Sequence, residues 1–373
     1  MKTKTWKKGQ SSAQLGKLYI ITVGEAFRLA GASWVALLAA GGFSMMDIAL
    51  AETVFHVVSL LAEIPSGVLS DVWSRKKTMV ASRILFTLSP LVMLISRSLP
   101  AVCLSMVFLA LGYNCASGTR EALAYDSLGL DERQDHFAQF LSVDTILYRI
   151  FQAAATLLAG LALCLGMVRA CSLDVSLSLI TILAAALLVD IPASAARLKD
   201  PVRTRILDVV KKSLFFLLHE HRAAAVMLVN AVLGAFSVLS QFYLQARLLN
   251  AGVSGAALGP CLFVCALGGA LGAALVRCYR KLHYPKICML CLAGTVAGAA
   301  LVCTSSPVLM CLGAFACNYH ADLLQIRSDA LLNDLLPSGE RATLNSVSSM
   351  VFSLVMIVMT PLAGVLNTLL YRR

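Results

Sequence analysis

Charge is what this chain has least of. Asp, Glu, Lys and Arg make up 14% of its 373 residues, where a soluble globular protein carries about 25%. With 59% hydrophobic residues and a mean hydropathy of +0.80, that scarcity excludes an ordinary soluble domain and a disordered chain. Acidic residues are the scarcer sign, 20 against 31 basic ones, for a net charge of +11. Such a balance would suit a nucleic-acid reader if the cations gathered in a patch. Here long apolar runs separate them, so they report membrane orientation and no nucleic-acid partner is expected. No HExxH, GxSxG or phosphate-cradling glycine loop is present, so neither enzyme chemistry nor a cofactor is expected. The twelve cysteines have no extracellular domain to staple, and most lie in apolar runs as small hydrophobes. Cys288-x-x-Cys291 lies in such a run with no second Cys pair nearby, and His219-x-His221 is isolated, so no metal site is expected.

What the chain does have is long hydrophobic runs. A helix crosses a bilayer with about 20 mostly apolar residues. Eleven spans are read, roughly 17–40, 47–70, 78–97, 99–124, 138–165, 173–192, 222–246, 254–277, 286–304, 307–331 and 342–370. With the N-terminus in the cytoplasm, 24 of the 31 Lys and Arg fall in inside segments and five outside. That asymmetry supports the orientation and explains the basic pI. The reading divides the chain into an N-terminal six-helix bundle (1–192), a basic cytoplasmic linker (193–221) and a C-terminal bundle of five helices (222–373). In the linker Ile206, Val209, Val210 and Leu214 recur at helical spacing, as in an amphipathic helix lying on the inner membrane surface.

Ionisable residues within spans sort the helices. A charge in hydrocarbon costs roughly 2.5–3.5 kcal/mol on insertion scales, so it faces protein or water. Spans three, six, eight and nine are nearly clean away from their ends, and are expected to lean toward lipid. Spans one, two, four, five and ten are expected to face an interior cavity. Span one carries Glu25 and Arg28, spaced to pair with each other. Span two carries Glu52, His56 and Glu63, and span five carries Asp144 and Arg149. In span ten Asn318, Asp322 and Gln325 share one face, with His320 beside them. The candidate cavity or proton-coupling set is therefore Glu25, Arg28, His56, Glu63, Asp144, Arg149, Asn318, His320, Asp322 and Gln325. Arg28 and Arg149 would present positive charge near the midplane. The carboxylates and His320 would supply proton carriers, although each also suits a structural ion pair or a packed polar residue. Gly268-x-x-x-Gly272 reads as a small-residue face for close helix packing.

The stretch leaving span two runs through Glu63, Gly67, Leu69, Asp71, Ser74 and Arg75 to Lys76 and Lys77. It closely resembles the Gly-x-Leu-x-Asp-x-x-Gly-Arg-Lys signature of the major facilitator superfamily, with Ser74 where that family usually has Gly. Residues 117–128 and 333–346 look like a bacterial subgroup of the same family. The resemblance implies an all-α membrane fold of two six-helix bundles, a substrate site at the midplane and rocking between inward and outward states. It also implies a conformational latch of Gly67, Asp71, Arg75, Lys76, Glu121, Asp126 and Arg341. In it Asp71 would lie at the N-terminal end of span eleven near Thr343 and Asn345, and Arg75 would reach Glu121 or Asp126. Two departures stand out. Span five lacks the Gly-Pro pair of many drug–proton antiporters, and the family has twelve spans where eleven are read. Loss of the peripheral twelfth helix would expose packing surface on spans ten and eleven. The function expected is proton-coupled efflux of a small drug-like compound or metabolite by a monomer in a bacterial cytoplasmic membrane. The alternatives are uptake or exchange of a small anion, or a non-transporting fragment.

Overall fold

The computed structural model describes residues 8–95, 98–128, 133–190, 202–335 and 341–370. Among them every regular element is a helix. The first span is three pieces, α1 (Lys8–Ala26), α2 (Leu29–Ala32) and α3 (Trp34–Ala40). It is followed by α4 (Met45–Val72), α5 (Arg75–Ile95), α6 (Leu99–Ala116) and α7 (Thr119–Asp126). Then come α8 (Arg133–Leu157) and α9 (Ala159–Ala186), and α10 (Val202–His219) lies in the linker. The remaining helices are α11 (His221–Arg247), α12 (Gly255–Leu275), α13 (Tyr284–Val302), α14 (Pro307–Leu335) and α15 (Arg341–Leu370). Inside α9 the backbone leaves helical geometry at Gly166 (φ 74°, ψ 168°). Glycine tolerates that left-handed region, so the chain can turn there, between the fifth and sixth spans read from the sequence.

Eight helices among the described residues are long and apolar enough to cross a membrane. The three other spans read from the sequence, α1–α3, α8 and α14, carry most of the ionisable candidates. The first is broken into three short helices, and polar residues lower the hydropathy of the other two.

The chain forms two compact units. One gathers Met1–Ala32, Leu61–Ala155 and Met167–Val210. Its core joins Leu18 and Ile21 of α1, Met79 of α5, Leu123 of α7, Phe140 of α8 and Leu188. Small residues let α5 and α6 pack closely, with Ser82 donating to the Gly112 carbonyl at 2.7 Å and the Ser89 and Ser105 hydroxyls 2.9 Å apart.

The other unit gathers Ser33–Leu60, Thr156–Gly166 and Lys211–Arg373. Here Trp34 of α3 meets Phe242 of α11 edge-on at 5.3 Å, and Gln245 accepts the Ala36 N–H at 3.3 Å. The small-residue face of α12 lies on α14: a Cβ at Gly268 or Gly272 would strike the backbone of Phe315 or Tyr319. Gly272→Val is therefore expected to cost about 1–3 kcal/mol through overpacking. Thermal unfolding in detergent reads this, and an unchanged midpoint would count against the close contact. An apolar groove of about 490 Å³ runs between α11 and α15, lined by Leu228, Val232, Val351, Leu354, Val355 and Val358 among others.

Candidate transport site and its buried charges

An ionised side chain inside a membrane bundle must find a partner, and the first unit satisfies four of them together. Glu25, near the end of α1, is buried. Arg83 stands two turns into α5, about 12 Å along it by helical rise, and is 1% exposed. Its guanidinium lies 3.0 Å from the Glu25 carboxylate and donates to Ser82 Oγ at 2.9 Å. The Phe86 ring centre lies 4.2 Å from Arg83 Cζ. Arg120 of α7 approaches Glu25 at 3.3 Å and Asp144 of α8 at 3.5 Å. Asp144 also accepts a hydrogen bond from the Thr22 hydroxyl of α1. Four helices thus close a set of two carboxylates and two guanidinia. Gly118 makes it possible: its left-handed φ of 67° ends α6 and lets α7 leave at a new angle, carrying Arg120 inward.

The charge count places Arg83 and Arg120 with the cytoplasmic segments and span three toward lipid; the ion pairs of both with Glu25, and the 1% exposure of Arg83, correct that. Both lie within six residues of a predicted span end, where hydropathy does not separate a loop cation from a buried one. The Glu25–Arg28 pair suggested by their spacing does not form, because the helix stops between them.

That stop has no proline behind it. Phe27 and Arg28 are non-helical, and the freed N–H groups of Leu29 and Gly31 donate to Asp174 of α9 at 2.7 and 3.0 Å. Asp174 is 1% exposed. It was missed because it opens the sixth predicted span, where an acid reads as an end residue. Arg28 is half-buried, lies 5.6 Å from the Phe86 ring centre and hydrogen-bonds the Tyr113 hydroxyl. Arg149 is exposed on α8, and Glu63 is half-buried on α4.

In the second unit His56 is buried on α4, with Nε2 3.3 Å from Glu52 and Nδ1 3.5 Å from the Ser353 hydroxyl of α15. Asn318 of α14 accepts from Ser237 of α11 and donates to the Cys265 carbonyl of α12 at 3.0 Å. Gln325 accepts from Asn230 and donates to Asp329 at 2.9 Å. Asp322 turns toward Gly269 of α12. His320 turns toward Gly294 of α13, its Nδ1 2.7 Å from the Ala316 carbonyl. The shared face of Asn318, Asp322 and Gln325 therefore divides between α12 and α11, and His320 points to a third helix.

At the signature loop, Arg75 pairs with Asp126 and donates to the Ala122 carbonyl at 3.0 Å. Ser74 donates to Asp190 at 2.8 Å and accepts the Lys77 N–H at 3.3 Å, so its hydroxyl caps α5 where a glycine would leave the bonds unmade. Glu121 and Lys76 are half-buried, and Gly67 has open space where a Cβ would stand. The side chains of Asp71 and Arg341 lie outside the described ones.

The described residues thus form helical bundles that enclose paired charges. The family model of the Major Facilitator Superfamily matches residues 20–319, and the chain belongs to that family. Its fold is similar to a variant of the nucleoside transporter NupG (TM-score 0.72, 16% identity, covering 95% of this chain and 90% of that one). It is also similar to a bacterial homolog of the human lysosomal transporter Spinster (TM-score 0.69, 16% identity, 95% and 82% covered). A third is a bacterial homologue of the iron transporter ferroportin (TM-score 0.67, 16% identity, 97% and 94% covered). No curated protein matches the chain in sequence. It is a multi-pass membrane transporter of small molecules, not an enzyme.

Proposed function

We propose that the protein is a proton-coupled secondary transporter that exports a small drug-like compound or metabolite across a bacterial cytoplasmic membrane. It works as a monomer of eleven spans with a cytoplasmic N-terminus. Residues 1–192 and 222–373 are its two halves, joined by the linker 193–221, whose α10 lies on the inner surface. The observation that carries coupling is Arg120 held between Glu25 and Asp144, with Arg83 behind it. With both acids ionised the set is neutral and locked. A proton on Asp144 removes one anchor of Arg120 and leaves an uncompensated cation, which favours rearrangement of α7 against α1 and α8. The Gly67, Asp71, Arg75, Lys76, Glu121, Asp126 and Arg341 set acts as a latch between conformers, and the Arg75–Asp126 pair supports that role. Export as the direction is supported by the resemblance of the signature loop and the stretches 117–128 and 333–346 to bacterial facilitators.

Growth on a panel of toxic compounds, followed by export driven by a pH gradient in proteoliposomes, tests this. Wild type is expected to confer resistance. Asp144→Asn is expected to lower gradient-driven export at least tenfold while substrate exchange without a gradient persists. Undiminished gradient-driven export by Asp144→Asn would remove Asp144 from coupling. Inert wild-type protein, correctly inserted, would overturn the transporter reading.

A further inference from the structure

Resting on that reading for its orientation alone, we infer that Cys261, Cys265 and Cys311 form a thiol–disulfide site at the outer end of the second unit, in which oxidation joins Cys311 to Cys261 and fixes α12 on α14. The three thiols gather at one point between the two helices. Cys311 Sγ lies within hydrogen-bond reach of the Cys261 and Cys265 thiols. Cys265 Sγ also donates to the Cys311 carbonyl at 3.4 Å. Cys265 is fully buried, whereas Cys261 and Cys311 are half-buried.

Glycine sets the register that brings them together. Gly268 of α12 faces Phe315 of α14, and Gly272, one turn on, faces Tyr319, also one turn on. The two helices therefore run parallel in close contact. Continued one turn back, the same offset sets Cys311 opposite Val264, between Cys261 and Cys265. With no side chains at 268 and 272 the backbones approach closely, which brings Cβ atoms on the next turn within the reach of a disulfide. Leu258, Leu262, Met310 and Ala314 pack around the thiols and hold that turn.

Position supplies the chemistry. Cys261 lies about 9 Å along α12 from Gly255, and Cys311 about 6 Å along α14 from Pro307. With a cytoplasmic N-terminus both helices enter from the outer face, where thiols meet oxidants. The step is exchange with a small-molecule disulfide. The Cys311 thiolate attacks one sulfur and releases the first thiolate, and the Cys261 thiolate then attacks Cys311 Sγ and releases the second. Two protein thiols thus give two electrons and two protons to one disulfide, which leaves as two thiols. Cys265, deeper and engaged with the Cys311 carbonyl, is not consumed. Both helices belong to one compact unit, and the bond stiffens it.

The test is treatment of the purified full-length protein with 2,2′-dithiodipyridine, followed by alkylation, non-reducing peptide mapping by mass spectrometry and thermal unfolding. A Cys261–Cys311 linked peptide is expected, with the midpoint raised by about 3 °C or more and restored by dithiothreitol. Cys265→Ser is expected to keep both effects, and Cys261→Ser or Cys311→Ser to lose both. Free thiols at 261 and 311 after full reaction, a bond from Cys311 to another cysteine, or a rise that survives Cys311→Ser would each overturn the inference. Intact cells treated with oxidised glutathione, which stays outside, are expected to form the same bond. A bond formed only after permeabilisation would overturn the outer placement. Gradient-driven export by wild type that forms no bond would leave the transporter reading standing and this one refuted. The mapped bond in protein that transports nothing would do the reverse.

Discussion

Replacing Arg83 with methionine is expected to lower stability by about 3 kcal/mol, the low end of the 3–5 kcal/mol for breaking a buried ion pair. The side chain is 1% exposed, so water cannot solvate the Glu25 charge left behind. Arg120 still stands 3.3 Å from Glu25, which keeps the loss at that low end. Loss of the Phe86 contact adds to the effect. The double variant Glu25→Gln/Arg83→Met is expected to recover at least about 1 kcal/mol relative to the sum of the singles, because it removes both charges together. Unfolding titrations in mixed micelles read both quantities. A single-variant loss below about 1 kcal/mol, or strict additivity, would show that the pair contributes little.

Removing the Asp174 carboxylate is the second large effect. Asp174 is 1% exposed, and Asp174→Ala leaves the buried Leu29 N–H and the partly buried Gly31 N–H without their acceptor, at about 1–3 kcal/mol each. Asp174→Asn retains one acceptor oxygen and is expected to lose roughly half as much. Amide exchange in residues 27–32, followed by mass spectrometry, reports the break directly. Faster exchange there in Asp174→Ala, with α11 and α14 unaffected, is the expected result. An unchanged rate would mean that other contacts hold the break open.

The helices were largely legible before any coordinates, because hydropathy is a property of composition over about 20 residues. Each stretch read as a span coincides with a helix or a short series of helices, down to the turn near Gly166. The signature loop was legible too, since its spacing brings Arg75 at the start of α5 opposite Asp126 at the end of α7. The buried charge set was legible only in part. Glu25 and Asp144 stood out because each interrupts an apolar run. Arg83, Arg120 and Asp174 did not, because each lies close to a span end and reads as ordinary interfacial charge. For His320 the sequence left both proton chemistry and simple packing open; in the fold it lies against Gly294 of α13 with Nδ1 on a backbone carbonyl of its own helix.

Sequence alone determined that the chain enters a membrane as helices, where those helices run, and which family signature joins the second to the third span. These are local quantities, set by the transfer free energy of each segment and by short spacings along it. Only the tertiary structure decided which charges meet. Glu25 prefers Arg83 and Arg120 to the nearby Arg28 because a carboxylate from a distant helix, Asp174, captures the backbone N–H groups of the first span and stops it between Glu25 and Arg28. No local propensity encodes that stop. It exists because two backbone donors and one buried acid, separated by more than 140 residues, satisfy one another inside the bundle.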